Sequence, residues 1–287
     1  MRWLIYLASL GLMLALVAVS GALYGFYKFG RDLPDYKYLA TYQPPVVTRV
    51  HASDGRLLAE YARERRVFVP VKAMPRRVLK AFLAAEDRTF YSHFGIDLTG
   101  LARAAVTNLS QIGTGKRPIG ASTITQQVAK NFLLSNEVSI ARKAKEAILA
   151  LRIERALSKD RILELYLNQI YLGKRSYGVA AAALNYFDKS LDSLTIAEAA
   201  YLAALAKGPS NYHPVRRYDM AITRRNWVLG QMARNQFITP AEEEAAKNAP
   251  LIATGRTISD LARADYFAEE VRRELMDRFG ESIVYGG

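Results

Sequence analysis

Cysteine is absent from all 287 residues, which excludes a disulfide framework but leaves the compartment open. With only three scattered histidines, His51, His93 and His213, a structural zinc site is excluded too. No internal repeat or low-complexity tract interrupts the chain. The Gly113-Thr114-Gly115-Lys116-Arg117 stretch lacks the leading glycine and the closing Ser or Thr of a phosphate-binding loop, which removes an NTPase reading. Acidic residues are in deficit: 27 Asp+Glu against 40 Lys+Arg leave a formal charge of +13. That surplus favours an anionic partner, whether nucleic acid, a phospholipid surface or a phosphate-bearing substrate.

Charge is missing altogether from residues 3–27, a run flanked by Arg2 on one side and Lys28 and Arg31 on the other. It is long enough to span a bilayer and exceeds the roughly 7–15 residue core of a cleaved signal peptide. Trp3, Tyr6, Tyr24, Phe26 and Tyr27 stand where interfacial aromatics belong. The expectation is an uncleaved transmembrane anchor over 1–30; its flanking positives do not decide its orientation.

What is present beyond the anchor is a globular composition, 51% hydrophobic and 23% charged. Residues 31–72 read as an extended and β connector, with strands over 46–51 and 56–61 about an Asp54-Gly55 turn and a third over 66–71. From Pro75 the pattern is helical: Pro75 suits a first helical position, Asp97 caps 98–109, Ser122 caps a helix towards Leu134, and Ser158 caps the next. Thr195 with Glu198 and Thr239 with Glu242 have capping-box spacing. A Gly-rich basic loop is expected over 111–120. The fold class is mainly α, with the principal domain over 73–250 and a linker over 251–287.

Four polar clusters interrupt the helices, each with two readings. Glu86-Asp87-Arg88-Thr89-Phe90-Tyr91-Ser92-His93-Phe94-Gly95 ends an Ala/Leu-rich helix in two carboxylates, either surface acids or a carboxylate reaching into a cleft. Gly120-Ala121-Ser122-Thr123-Ile124-Thr125-Gln126-Gln127 is ordinary capping or an anion site at a helix start. Arg142-Lys143-Ala144-Lys145-Glu146 puts Arg142 and Glu146 at i and i+4 opposite an apolar stripe, which reads as a solvated ion pair or as part of a site. Ile162-Leu163-Glu164-Leu165-Tyr166-Leu167-Asn168 puts Glu164 and Asn168 on one face of an apolar helix, a structural pair or a functional one.

In order and spacing these clusters, with Ala203-Ala204-Leu205-Ala206-Lys207-Gly208-Pro209 and Arg224-Arg225-Asn226-Trp227-Val228-Leu229, closely resemble glycosyltransferase family 51, over residues 46–235. This is the glycan-polymerising domain of class A penicillin-binding proteins and monofunctional transglycosylases. The resemblance implies a lysozyme-like helical fold and a peptidoglycan glycosyltransferase. Such an enzyme transfers a growing glycan from undecaprenyl pyrophosphate to the 4-hydroxyl of lipid II, inverting the anomeric centre to make a β-1,4 bond. By the same resemblance Glu86 is the base. Glu146 is the second catalytic carboxylate, which aids the leaving group, organises cations or holds a divalent metal.

Lys130, Arg142 and Lys143 are candidates for pyrophosphate neutralisation; Ser122, Thr123, Gln126 and Gln127 would line the donor site. Asp87, Phe90, His93 and Gly95 would shape the turn carrying Glu86, and Glu164 and Asn168 complete the implied substrate-binding set. No cofactor is required, although a divalent cation, Mg or Mn, is compatible with the family. The implied partners are lipid II, the growing glycan chain, anionic membrane lipids and other cell-wall synthesis proteins; nucleic acid is not among them. The implied location is the inner membrane, with a cytoplasmic N-terminus and an extracytoplasmic catalytic domain. Phe132-Leu133-Leu134 is either core or a stretch that dips into the bilayer.

One departure is that Glu137 is followed by Val138 where many family members carry a basic residue, which removes one phosphate contact. The chain has no Ser-x-x-Lys and no Lys-Thr-Gly, so no penicillin-sensitive transpeptidase site occurs in these residues, and the C-terminal stretch reads as the start of a passage into such a domain. The alternatives are a lysozyme-like muramidase and a catalytically inactive membrane-anchored scaffold.

Overall fold

The computed structural model describes residues 2–42, 48–54, 57–61, 65–113, 120–135, 137, 139–253 and 265–286. Most of the basic loop (114–119) and Val138 lie outside these. The chain divides into two compact units, 1–40 with 93–158 and 41–92 with 159–287.

In the first unit the N-terminal run forms α1 (Arg2–Gly30), 29 residues or about 43 Å at 1.5 Å per residue. Among the described residues no helix is long and apolar enough to cross a membrane. The α1 side chains at 2, 4, 5, 7, 8, 14, 15, 18, 19, 22 and 23 lie outside the described set, so the expected anchor rests on sequence and helix length. Arg152 donates to Gly30 O at 3.1 Å, which satisfies a carbonyl at the end of α1. Three further helices follow, α3 (Leu98–Ser110), α4 (Ile124–Leu133) and α5 (Ile140–Ala156), and α5 packs against both α4 and α1. Asp97 caps α3 as expected, accepting from Gly100 N. None of the described α3 residues is buried, and Leu98, Val106 and Leu109 face solvent. Phe132, Leu133 and Leu134 are half-buried, neither core nor fully exposed.

In the second unit an antiparallel hairpin, β1 (Thr48–His51) with β2 (Leu57–Tyr61), matches the first two expected strands where residues are described. The third is reduced to β3 (Arg65–Arg66), which pairs in parallel with β4 (Ser176–Tyr177). The chain leaves the ladder because Asn168 and Glu164 take the backbone groups of Val69 and Val71, and Pro70 has no N–H to offer a strand. Around these lie α2 (Arg76–Glu86), α6 (Lys159–Gln169), α7 (Val179–Phe187), α8 (Ile196–Leu205), α9 (Tyr218–Arg234) and α10 (Pro240–Asn248).

Pro75 is the cap residue of α2, one position before the first helical residue. Helix α8 is apolar on every side, with Ala197 and residues 199–205 buried, and it is the central helix against which α2 and α9 pack. Both expected capping boxes are present, Thr195 with Glu198 and Thr239 with Glu242. In the stretch expected as a linker, α11 (Asp265–Gly286), broken at Gly280 (φ 77°), packs Val284 against Val50 of the hairpin.

Candidate active site

The expected site residues fall into two sets, one in each unit. In the first unit α4 starts one residue later than the sequence suggests: Thr123, not Ser122, is the cap. Thr123 Oγ1 accepts from Gln126 N while Gln126 Oε1 accepts from Thr123 N at 3.0 Å. This reciprocal pair uses the polar atoms of two buried side chains that the sequence offered as donor-site contacts. Thr123 Oγ1 also donates to Gly95 O at 2.6 Å, and Gly95 N donates to His93 Nδ1 at 3.1 Å, so the His93-Gly95 turn is pinned to the start of α4. Gly95 has φ +89°, and an added Cβ would lie 2.8 Å from Ala150 O on α5, so only glycine fits.

Ser122, released from capping, accepts from Lys143 Nζ at 2.7 Å. The same ammonium donates to Glu146 Oε2 at 2.7 Å, and Arg142 Nη1 donates to Glu146 Oε1 at 2.5 Å. The Glu146 side chain is 3% exposed, against 17% for Arg142 and 49% for Lys143. This corrects the solvated ion-pair reading: α4 packing on α5 buries the carboxylate and leaves the cations at the edge. Arg142 Nε is buried with no hydrogen-bond partner among the described residues. Lys130 is exposed and Gln127 half-buried on α4. No three His, Cys, Asp or Glu side chains among the described residues cluster to hold a metal ion. Both Glu146 oxygens already accept from cations, so this donor set fits an organiser of cations better than a metal ligand.

In the second unit α2 buries Val78, Ala81, Phe82, Leu83 and Ala84 and ends in half-buried Glu86. Asp87, 6% exposed, turns the chain out of the helix at φ −158°, ψ 80°, its N–H still donating to Leu83 O at 3.0 Å. Phe90 is fully buried beneath the Lys159 ammonium, 4.4 Å from the ring centroid. It also packs edge-on against Tyr91, whose hydroxyl donates to Asp160 Oδ1 at 3.0 Å. Partial burial of Tyr91, which is 56% exposed overall, with that bond and the Asp160 charge, pushes its phenol up to about 12. Two further residues feel the Glu86 charge, and the sequence alone gives neither a role. Burial, with the Glu86 and Asp87 charges, raises the Tyr166 phenol well above its ordinary value. Arg224, its guanidinium 3.8 Å from the Trp227 ring centroid, is lowered by burial and held up by Tyr212 and Glu86. An apolar motif hid the first and an arginine doublet the second.

Glu164 and Asn168 serve the chain itself. Asn168 Oδ1 accepts from Val69 N, and its Nδ2 donates to Val69 O and Glu164 O, all at 2.8–2.9 Å. Glu164 accepts from Val71 N at 2.8 Å and from Arg161 at 2.6 Å. These bonds give both side chains a structural role.

Two acids therefore stand out, Glu86 at the end of α2 in one unit and the buried, cation-clamped Glu146 on α5 in the other. Residues 54–233 match the transglycosylase family, and the chain belongs to it. It is 47% identical over 282 residues to penicillin-binding protein 1A of Rickettsia conorii, covering 98% of this chain and 36% of that one. Against penicillin-binding protein 1A of Escherichia coli the figures are 42% over 269 residues, 93% and 31%. The crystal structure of penicillin-binding protein 1A from Haemophilus influenzae aligns over 85% of this chain and 26% of that one, at 30% identity and TM-score 0.49. The chain thus spans about a third of the length of these curated relatives.

Proposed function

We propose that this chain is a peptidoglycan glycosyltransferase that polymerises lipid II into β-1,4-linked glycan strands. The observation that carries the reading is the buried Glu146 holding Arg142 and Lys143 in a member of the transglycosylase family. Transfer needs a base at the acceptor and positive charge at the leaving group. Glu86 takes the proton of the acceptor 4-hydroxyl, whose oxygen attacks the anomeric carbon of the lipid-linked glycan. The bond from that carbon to the pyrophosphate oxygen breaks with inversion, and the pyrophosphate leaves with the electron pair. Arg142 and Lys143, with exposed Lys130, receive its charge, while Glu146 keeps the two cations fixed between turnovers. Ser122 steadies Lys143, Gln127 contributes its amide, and no step is routed through a metal.

In this reading residues 73–250 form a lysozyme-like glycosyltransferase domain. Residues 1–30 anchor it in the inner membrane with the N-terminus cytoplasmic, and 31–72 connect the anchor to it. The exposed Trp3, Leu12, Leu16 and Tyr27 of α1 support a lipid-facing helix, and the exposed apolar face of α3 supports further contact with anionic membrane lipids. Other cell-wall synthesis proteins are partners of the same reading. The test is incubation of the full chain in liposomes with labelled lipid II. Lysozyme-digestible polymer is the expected result; well-folded protein that makes none would leave a scaffold.

A further inference from the structure

We propose that Tyr166 is a positioning residue for Glu86: its phenolic proton is held for the Glu86 carboxylate and fixes the direction in which that carboxylate accepts the acceptor's proton. The inference rests on the function proposed above and assigns a residue that the reaction scheme leaves unused.

Tyr166 lies on α6 with its ring packed edge-on against Phe82 of α2, centroids 6.3 Å apart at 74°. Phe82 and Glu86 are four residues apart on α2, so they share a helix face, and the Tyr166 ring packs against that face one turn before Glu86. Tyr166 is 1% exposed, and its hydroxyl has no hydrogen-bond partner among the described residues. A buried, unmatched hydroxyl is costly, and phenylalanine would fill the same volume without it. The hydroxyl therefore has a use that the resting arrangement does not display.

The charged groups around it define that use. Asp87 and Glu86 bring two carboxylates to the end of α2, and both act on the Tyr166 phenol. From α9, Arg224 interacts with the Glu86 charge and with Tyr212. From α8, the Tyr201 hydroxyl is committed to Tyr212 O at 2.9 Å. A phenol raised in this way stays protonated throughout the working range, so Tyr166 always has an O–H to donate. It keeps its proton during turnover, and the acceptor's proton goes to Glu86. A donor to the ionised form favours that form, so losing it makes Glu86 harder to ionise.

The test is the pH dependence of kcat/KM for labelled lipid II, using the full chain in liposomes. For Tyr166→Phe we expect a fall of about tenfold near neutral pH, the strength of one hydrogen bond to a charged group. The acid limb should also move to higher pH, with KM nearly unchanged. Replacing Tyr166 by 3-fluorotyrosine, a stronger donor of almost the same size, should move that limb to lower pH. Wild-type rate and limb in Tyr166→Phe would overturn the inference. Should Tyr166→Phe not fold, an unmoved limb in the fluorotyrosine protein would overturn it equally. A wild type that makes no polymer would instead sink the function on which it rests.

Discussion

Arg142 holds its Nη1 2.5 Å from Oε1 of a Glu146 side chain that is 3% exposed. The carboxylate is therefore a fixture of the interior, with both oxygens bonded to cations. Glu146→Gln keeps the shape and discards the charge. It should lower kcat/KM by at least about tenfold, or about 1.4 kcal/mol, and stability by about 1–3 kcal/mol as Arg142 loses a buried partner. Steady-state polymerisation and urea unfolding check both; unchanged turnover would mean that the cations need no organiser.

Gly95 is fixed by two constraints at once, φ +89° and the 2.8 Å approach of a would-be Cβ to Ala150 O. Gly95→Ala should cost about 1–3 kcal/mol in backbone strain alone. Denaturant unfolding would show the loss, with activity declining in step because the His93-Gly95 turn is tied to Thr123.

Asn168→Ala strips Val69 of partners for both its N–H and its carbonyl. The melting temperature should drop by the equivalent of about 1–3 kcal/mol, while KM for lipid II stays put in the folded protein. A raised KM with unchanged melting would return Asn168 to the substrate contacts.

Tyr91 makes stability sensitive to alkali. Its folded-state value, about 12, stands above the ordinary 10.0 of an exposed phenol. The folded chain therefore binds this proton more tightly than the unfolded one. The contribution is complete below pH 10 and is lost as pH rises towards 12. Buried Tyr186 and Tyr201 are raised in the same direction. Thermal melts from pH 9 to 11 should show wild type losing stability with rising pH, and Tyr91→Phe losing less.

Local chemistry was legible in the sequence and long-range packing was not. Thr195-Glu198 and Thr239-Glu242 are legible because a capping box is written within four residues. Ser122 and Thr123 both suit a cap, and only the reach of Lys143 from α5 decides which hydroxyl is taken for another purpose. Glu146 looked like half of a surface pair because i and i+4 spacing says nothing about which helix covers it. Asn168 could be placed on a helical face but not opposite Val69, a contact across ninety-nine positions of chain. The same distance problem hid the parallel pairing of β3 with β4 and the docking of α11 on the hairpin. A tyrosine between leucines, such as Tyr166, reads as core, which it is, apart from its hydroxyl.

Glu86 as the base is tested most directly by resolving on a gel the products made from labelled lipid II by wild type and by Glu86→Gln. Wild type should give a ladder of lysozyme-digestible glycan and Glu86→Gln none, with the same circular dichroism and melting behaviour. Polymer from Glu86→Gln at close to the wild-type rate would contradict the assignment of the base.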